Sequence, residues 1–232
     1  MQAWIDALPT RTEKEVEQQT MLREELRCIS SNLGQTPGLD GNDYVFGHCD
    51  LLSGNVIVEP VCSPKDDANG ITVNGTSSEA SKTTVSFIDY EYATPAPAAF
   101  DIANHFSEWG GFECDYSALP TRSQRRDFLK HYLQSYRTHS CASVPQQPNA
   151  PEPSDKDLDN LMHQVDMFRG IPGFYWGIWA LIQAEISLID FDYVSYAPLR
   201  LAEYWNAKKE MDKARDGARD AMSVREKRWA EE

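Results

Sequence analysis

The sequence predicts an α+β fold that is mostly helical and contains one small β-sheet. Most segments have apolar residues at helical spacing. Only three runs are β-prone, and all three are short and lie between residues 44 and 88. The chain has 232 residues, of which 41% are hydrophobic, which is enough to bury one sizeable core. A single compact domain is therefore expected.

The first forty residues are predicted to be helical. Thr12 fits an N-cap because Glu15 follows three residues later. The apolar positions at helical spacing are Val16, Met21, Leu22, Leu26 and Ile29. Glycines and a proline between residues 34 and 41 then end the helix.

Three β-prone runs follow, at residues 44–46, 56–58 and 85–88, and they are expected to form one small sheet around a polar loop. Residues 62–84, between the second and third runs, are rich in Ser, Thr, Asn, Gly and Asp and predict a mobile surface insertion. A second stretch of this kind, residues 140–153, carries four prolines and is expected to separate two helices.

Capping residues mark those two helices. Thr121 with Gln124, and Ser154 with Asp157, fit N-cap pairs at the start of runs with helical apolar spacing. Each run continues for about fifteen residues, which is an ordinary helix length.

The remaining helices differ in their surfaces. Gly170 and Pro172 are predicted to close the helix that begins at Ser154. Residues 174–189 are apolar almost all round and predict a central buried helix, whereas residues 198–232 predict one long helix with a polar face.

The charge balance excludes two classes of partner. The chain carries 22 Lys and Arg against 36 Asp and Glu, a net charge of −14. A protein that binds nucleic acid or an anionic membrane needs a basic surface against the phosphate groups, so neither partner is expected. An acidic body instead attracts metal ions and small amines, although an ordinary solvated surface explains the same excess.

The cysteines and the N-terminus predict a cytoplasmic protein without membrane insertion. The five cysteines are an odd number and contain no C-x-x-C pair, which argues against a disulfide framework and a zinc cluster. The first residues lack the basic and apolar runs of a signal peptide, and no stretch approaches about 18 uninterrupted apolar residues.

The polar loop between the first two β-prone runs has the spacing H-x-D-x4-N, formed by His48, Asp50 and Asn55. This spacing is consistent with phosphoryl transfer. An Asp on a rigid loop accepts the proton of an attacking hydroxyl, and an amide oxygen further along holds a divalent cation against nucleotide phosphates. Asp50 and Asn55 fit these two roles.

A carboxylate from a neighbouring strand would complete such a metal site. Asp89 and Glu91 directly follow the third β-prone run. Because side chains alternate along an extended chain, both are expected to project the same way and to share two Mg²⁺ ions.

Three segments, in this order, resemble the choline and ethanolamine kinase family. They are GHCDLLSGNVIV at 47–58, VSFIDYEYATPAPAAFDIANHFSEW at 85–109 and YWGIWALIQAEISLIDFDYVSYA at 175–197. The resemblance covers nearly the whole chain apart from the two low-complexity stretches and the tail. It implies a relative of the protein kinases, in which this chain is the C-terminal lobe and a small β-sheet carries the catalytic loop.

The resemblance assigns roles to the loop residues. It makes Asp50 the catalytic base and gives Asn55, Asp89 and Glu91 to Mg²⁺. His48 belongs to the same catalytic loop, where support of the loop by hydrogen bonding is favoured over proton transfer.

Other polar residues near the loop are expected to be structural. Asp101 is expected to tie the backbone of the catalytic loop from the next helix rather than touch substrate. Cys49, which is Asn in many family members, is not expected to be a nucleophile, because no neighbouring base is implied. The remaining histidines share no metal-ligand spacing and are His105, His131, His139 and His163.

The amine pocket is expected to be aromatic and acidic, because ring quadrupoles and carboxylate charge both hold an ammonium group. Trp176 and Trp179 are three residues apart and share one face of the predicted buried helix. The resemblance adds the lining residues Phe191, Tyr193, Tyr196 and, less directly because the spacing before it varies among relatives, Tyr116. The alternative is that these aromatic residues are ordinary core.

The resemblance also suggests the substrate. The chain reads D-L-L-x-x-N as ethanolamine kinases do, whereas choline kinases commonly carry Gln at the position of Leu52. The implied reaction is ATP-dependent phosphorylation of the ethanolamine hydroxyl to phosphoethanolamine, the first step towards phosphatidylethanolamine. ATP is the co-substrate and Mg²⁺ the cofactor, and choline is the alternative substrate.

Nucleotide-binding features are missing from the sequence. No glycines fall in G-x-G-x-x-G spacing, and no strand with a V-A-I-K-like lysine precedes the catalytic loop. The chain is therefore expected to lack the N-lobe, to be a fragment of a longer kinase and to be inactive by itself, with its nucleotide-binding residues on the missing lobe. The alternative is a non-catalytic interaction module derived from the kinase C-lobe.

This expectation divides the chain into four parts. Residues 1–40 are the leading helices, and residues 44–91 hold the catalytic loop and the metal-binding strand. Residues 97–206 form a helical substrate-binding subdomain, and residues 207–232 form a charged helical tail.

Overall fold

The computed structural model describes residues 1–59, 84–140, 152–216 and 222–232, which form eight α-helices and four short β-strands. The helices are α1 (Gln2–Ala7), α2 (Glu13–Leu33), α3 (Ala98–Glu108), α4 (Arg122–Ser140), α5 (Asp155–Phe168), α6 (Ile171–Ile186), α7 (Tyr193–Asp216) and α8 (Val224–Ala230). The strands are β1 (Val45–Gly47), β2 (Val56–Glu59), β3 (Thr84–Phe87) and β4 (Thr94–Ala96). Except for their end residues, the predicted insertion at 62–84 and the proline-rich stretch at 140–153 lie outside the described residues.

The predicted N-terminal helix is two helices, because Pro9 follows α1 and cannot donate a backbone hydrogen bond. Thr12 caps α2 as predicted: its hydroxyl accepts from the N–H of Glu15, whose carboxylate accepts from the N–H of Thr12. Of the predicted apolar stripe, the buried residues are Leu22, Leu26 and Ile29.

Two separate sheets replace the predicted single sheet. β1 pairs antiparallel with β4, with Val45 opposite Ala96, and β2 pairs antiparallel with β3, with Val56 opposite Phe87. The prediction of one sheet is wrong because it missed β4, whose sequence Thr-Pro-Ala has little β-propensity. The loop of residues 48–55 therefore connects one sheet to the other.

Both predicted capping pairs in the second half are present. Thr121 and Gln124 exchange hydrogen bonds at the start of α4, and Ser154 and Asp157 form a reciprocal capping box at the start of α5. Each pair satisfies backbone N–H groups that a helix start leaves without a partner.

Helix α6 begins earlier than predicted. Gly170 follows the end of α5, but Pro172 lies inside the first turn of α6, where its missing N–H costs nothing. The helix ends at Ile186, so the predicted buried helix over 174–189 is wrong at its end, where Leu188 and Ile189 are exposed.

The predicted long helix over 198–232 is also wrong in its bounds. Helix α7 begins at Tyr193, contains Pro198 and runs without a break through position 207, where the charged tail was expected to start. Helix α8 packs back onto the domain: the Arg125 guanidinium lies 4.0 Å from the centre of the Trp229 ring, and Trp229 Nε1 donates to Asp166. Both Arg125 and Trp229 are buried.

The main core has buried side chains from all eight described helices. A smaller apolar cluster joins Cys114, Ala180 and the start of α7. Across the described residues, none of the helices combines the length and apolar character that a membrane span requires.

Candidate active site

The loop of residues 48–55 is held by α3. The Asp101 carboxylate accepts the backbone N–H groups of His48 at 3.2 Å and Cys49 at 2.7 Å. One turn later, Asn104 Nδ2 donates to the carbonyl oxygen of Cys49 at 3.0 Å. Since Asp101 and Asn104 lie on one helix face, α3 fixes the backbone of the loop directly before Asp50.

The approach between α3 and the loop is close. A Cβ atom on Gly47 would lie 3.3 Å from Asp101 Cγ and 3.1 Å from Cys49 Sγ, so a larger residue at the end of β1 would force these side chains to shift by a few tenths of an ångström. Cys49 has a left-handed backbone with φ +61°. Its thiol is buried, and this burial raises its pKa to about 12, which disfavours the thiolate that a nucleophile needs.

Asp50 is buried and is bound by Asn55. The Nδ2 atom of Asn55 donates to the Asp50 carbonyl oxygen at 2.8 Å and lies 3.3 Å from Asp50 Oδ2. Both partners are acceptors, which assigns this atom as nitrogen and leaves Asn55 Oδ1 as the free amide oxygen.

The pKa of Asp50 is raised to about 7, chiefly by burial and then by the negative charges of Glu108, Asp89 and Glu91, whereas the Asn55 hydrogen bond opposes the rise. Four acidic residues are therefore close enough to repel one another. A cation bound among them would lower this pKa again.

The segment that carries Asp89 and Glu91 is a turn and not an extended strand. Strand β3 ends at Phe87, Asp89 has a left-handed φ of +64°, and the N–H of Ala93 donates to the carbonyl of Tyr90. The expected alternation of Asp89 and Glu91 is wrong for this reason, because side chains alternate only along an extended backbone and Asp89 is left-handed.

His48 links the loop to this turn. Its Nε2 lies 2.9 Å from the carbonyl oxygen of Ile88, and its ring contacts Tyr90 at a centroid distance of 4.7 Å. Its buried Nδ1 has no hydrogen-bond partner among the described residues. Of the other histidines, His105 binds the carbonyl of Leu51 through Nδ1, which also supports the loop.

A small cavity of about 110 Å³ opens beside Asp50. Carboxylates and aromatic rings form most of its wall. The lining residues are Asp50, Leu52, Glu91, Tyr92, Glu108, Phe112, Trp176, Trp179 and Tyr196. Such a wall suits a small cation, because carboxylates supply negative charge and rings present their negative faces.

The two tryptophans of the cavity are anchored through their N–H groups. Trp176 Nε1 donates to Asn104 Oδ1 at 2.8 Å, and Trp179 Nε1 donates to the Tyr92 hydroxyl at 2.8 Å. Their rings pack edge to face at 5.5 Å. Asn104 thus binds both the loop of residues 48–55 and the cavity wall.

The other predicted aromatic residues are distributed around this wall. Tyr196 lines the cavity, whereas Phe191 and Tyr193 pack behind it, with Phe191 5.3 Å from Tyr196 and Tyr193 5.6 Å from Trp179 between ring centroids. Tyr116 packs against the small apolar cluster and does not line the cavity.

Sequence reasoning missed Glu108, Tyr92 and Phe112 as lining residues. Glu108 is the last residue of a buried amphipathic helix, and Tyr92 follows Glu91 directly, so the sequence positions of both could have indicated that they line the cavity. The sequence position of Phe112 gave no such indication, because its ring packs against Tyr196, which is far away in sequence, with the ring centroids 6.3 Å apart.

The donors near Asp50 match Mg²⁺ in type. Carboxylate and amide oxygens are the ligands that this ion prefers, and the repulsion that raises the Asp50 pKa marks a place where a cation is favourable. Among the described residues, no three His, Cys, Asp or Glu side chains already converge into a metal site.

Comparison with known proteins places these features in one family. A family model of choline/ethanolamine kinases matches residues 1–205. The chain is 33% identical to a probable ethanolamine kinase from Arabidopsis thaliana, over 89% of this chain and 50% of the relative. It is 38% identical to an ethanolamine kinase from Drosophila melanogaster, over 82% of this chain and 30% of the relative. The chain spans about half the length, or less, of the curated relatives it matches.

Solved structures give the same picture. An ethanolamine kinase from Plasmodium vivax superposes with a TM-score of 0.57 at 29% identity, over 80% of this chain and 39% of that one. A choline kinase from Cryptosporidium parvum shares the fold, with a TM-score of 0.54 at 22% identity, over 92% of this chain and 54% of that one. With a family model that matches most of its length and relatives that share about a third of its residues, the chain belongs to the choline/ethanolamine kinase family.

Proposed function

We propose that this protein takes part in ATP-dependent phosphorylation of the ethanolamine hydroxyl. One observation carries the proposal: a buried Asp on a rigid loop and two further carboxylates face a small cavity that is walled by aromatic rings. The cavity accounts for recognition of a small cation, and the loop accounts for chemistry at its hydroxyl. The names of the matched relatives support ethanolamine as the substrate class.

In this proposal, Asp50 is the base. Ethanolamine lies with its ammonium group between Glu108 and the ring faces, which leaves its hydroxyl towards Asp50. Asp50 orients that hydroxyl and accepts its proton as the oxygen attacks the terminal phosphorus of ATP, whose bond to the bridging oxygen breaks so that ADP leaves. The Asn55 hydrogen bond keeps the Asp50 side chain in place.

Asn55, Asp89 and Glu91 would hold Mg²⁺ in this proposal. The ion would supply charge neutralisation at the nucleotide phosphates. The structure supports the assignment of Asn55 by leaving its Oδ1 atom free while Nδ2 is bound to the loop.

His48 and Asp101 complete the proposed site as supporting residues. Asp101 binds two N–H groups of the loop, and His48 joins the loop to the turn that carries Asp89. Neither side chain lines the cavity. We therefore propose that both position the loop and that neither transfers a proton.

One observation favours ethanolamine over choline. The primary ammonium of ethanolamine has three N–H donors for the carboxylate oxygens in the cavity wall, whereas the trimethylammonium group of choline has no donor.

We also propose that the groups that bind the adenine and the phosphates lie outside these 232 residues, because the sequence has no G-x-G-x-x-G spacing. The chain would then bind the amine but transfer no phosphate unless those groups are supplied. The non-catalytic alternative instead predicts that no phosphoryl transfer occurs even when the coding sequence upstream of Met1 is included.

Two measurements test the proposal. Calorimetric titration of the 232-residue chain in Mg²⁺ should show tighter binding of ethanolamine than of choline, and equal or absent binding of both would count against the assignment. An ATP-coupled assay of the longer protein should show phosphoryl transfer to ethanolamine, which Asp50→Asn should reduce by about 10²- to 10⁴-fold. The exposed Asp43→Asn variant is the matched control, and full activity of D50N would refute the role of Asp50.

A further inference from the structure

We infer that Arg200 is a positioning residue for the amine cavity: its buried guanidinium holds Glu108 and Tyr196, two parts of the cavity wall that come from different helices. The inference rests on the proposed function, because it concerns how the same cavity is kept in shape. Arg200 itself does not line the cavity.

The contacts of Arg200 place it directly behind the wall. Its side chain is 1% exposed. Nη1 donates to the Tyr196 hydroxyl at 2.9 Å, and Nη2 donates to Glu108 Oε1 at 3.2 Å and to Ser107 Oγ at 3.4 Å. One planar guanidinium therefore joins the last residues of α3 to the first turn of α7.

The charges around Arg200 keep it in this position. Nε lies 3.2 Å from Glu203 Oε2, an ion pair whose alignment does not make a hydrogen bond. Burial disfavours the charged guanidinium, but the carboxylates of Glu203 and Glu108 more than offset this cost and keep the pKa of Arg200 high. Arg200 consequently stays charged, and a neutral side chain in its place would leave two buried carboxylates without a cation.

The backbone of α6 reinforces this arrangement. A Cβ atom on Gly173 would lie 2.5 Å from the Arg200 carbonyl oxygen, so α6 and α7 are in direct contact at this residue. Trp176 and Trp179 lie on the same helix α6. The three helices that contribute to the cavity wall, α3, α6 and α7, therefore meet at Arg200.

A lysine at position 200 would distinguish the effect of the charge from the effect of the guanidinium geometry. Lysine keeps the positive charge but cannot present two parallel N–H donors in a plane. We expect Arg200→Lys to fold and to bind ethanolamine about 10- to 100-fold more weakly, the usual cost of losing a residue that orients a ligand-binding group. The matched control is Arg125→Lys, which replaces another buried arginine far from the cavity. It should lower stability and leave the ethanolamine Kd unchanged.

A double-mutant cycle tests the link to the wall. Tyr196→Phe removes only the hydroxyl that Nη1 binds, so it should fold and weaken ethanolamine binding less than R200K does. Because both changes break the same hydrogen bond, the combined variant should resemble R200K alone, whereas effects that multiply would refute action through Tyr196. Binding of ethanolamine to R200K with the wild-type Kd would refute the inference as a whole.

A readout without ligand distinguishes this inference from the proposed function. The ring resonances of Tyr196 in NMR spectra of the free chain should shift or broaden in R200K and stay unchanged in R125K. If the wild type fails to bind ethanolamine but this shift is seen, the proposed function fails and the positioning role stands. If binding is seen and the Tyr196 resonances do not respond, the positioning role fails.

Discussion

Asn55 closes the loop that carries Asp50, because its side-chain amide donates to the Asp50 carbonyl oxygen at 2.8 Å and lies 3.3 Å from the Asp50 carboxylate. Both residues are buried. The same amide therefore fixes the backbone and the side chain of the proposed base, and leaves one oxygen for a cation.

Replacing this amide with a carboxylate should disrupt the loop. We expect Asn55→Asp to lower the free energy of unfolding by about 1–3 kcal/mol, because a buried donor is lost and two acceptors come to face each other. Urea unfolding monitored by tryptophan fluorescence measures this. The exposed Asn32→Asp variant on α2 should stay close to the wild type, and an N55D variant of wild-type stability would contradict the role of the amide.

Replacing the Asp101 carboxylate with a neutral amide should lower the free energy of unfolding by a similar amount. In Asp101→Asn, one of the two oxygens that accept the N–H groups of His48 and Cys49 becomes a donor, so a loss of about 1–3 kcal/mol is expected. Hydrogen exchange should show reduced protection of these two amides in particular. The exposed Asp127→Asn on α4 serves as the control, and unchanged protection in D101N would argue against the link.

The thiol of Cys49 should be inert in the folded protein. Its pKa is raised to about 12, chiefly by burial, so at pH 8 about one thiol in ten thousand is ionised. Iodoacetamide should modify the exposed Cys28 within minutes and leave Cys49 unmodified until urea unfolds the chain. Peptide mapping by mass spectrometry measures both, and equal labelling of the two cysteines in the native state would show that Cys49 is accessible and reactive.

The capping carboxylate of α5 should titrate at unusually low pH. Hydrogen bonds from Arg137 and Ser154 lower the pKa of Asp157 to about 2. Because the folded pKa lies below the unfolded value of about 3.9, the stabilisation is fully present above pH 4 to 5 and is lost as pH falls through about 2. NMR titration of the Asp157 carboxyl carbon should show this midpoint, and Arg137→Ala should raise it. If R137A leaves the titration midpoint of Asp157 unchanged, the low pKa comes from the Ser154 hydrogen bonds alone.

Helix α8 should contribute measurably to stability although it lies beyond the residues that match the family model. Trp229→Ala removes the ring under Arg125 and the bond to Asp166, and about 3–5 kcal/mol of destabilisation is expected for a buried tryptophan. Trp109→Ala removes a partly exposed ring and should cost less. Similar effects of the two changes would mean that α8 is only loosely attached.

The elements that could be predicted depend on local signals. The caps at Thr12, Thr121 and Ser154 follow from residues three apart, and all three are present in the structure. The sheet pairing could not be predicted in the same way, because β1 pairs with β4 across the 46 residues 48–93 and because Pro95 makes the second segment look unlike a strand. Long-range pairing leaves no periodic signal in either segment.

The candidate site shows the same division. Asp50 and Asn55 lie on one loop, so their spacing alone predicted that they act together, and the structure brings them into contact. Glu108 and Phe112 come to the cavity through the packing of α3 against α6 and α7, which no short motif encodes. The left-handed conformation of Asp89 could not be predicted from the sequence either, because Asp tolerates both extended and left-handed backbone.

The bonds from Trp176 to Asn104 and from Trp179 to Tyr92 have a thermodynamic consequence for ligand binding. Both indoles are fixed by protein acceptors before any ligand arrives, so no rotamer freedom of these rings is left to lose on binding. Loss of such an anchor would leave the ring in contact with the same neighbours but free to reorient. The difference would show in calorimetry as a less favourable binding entropy.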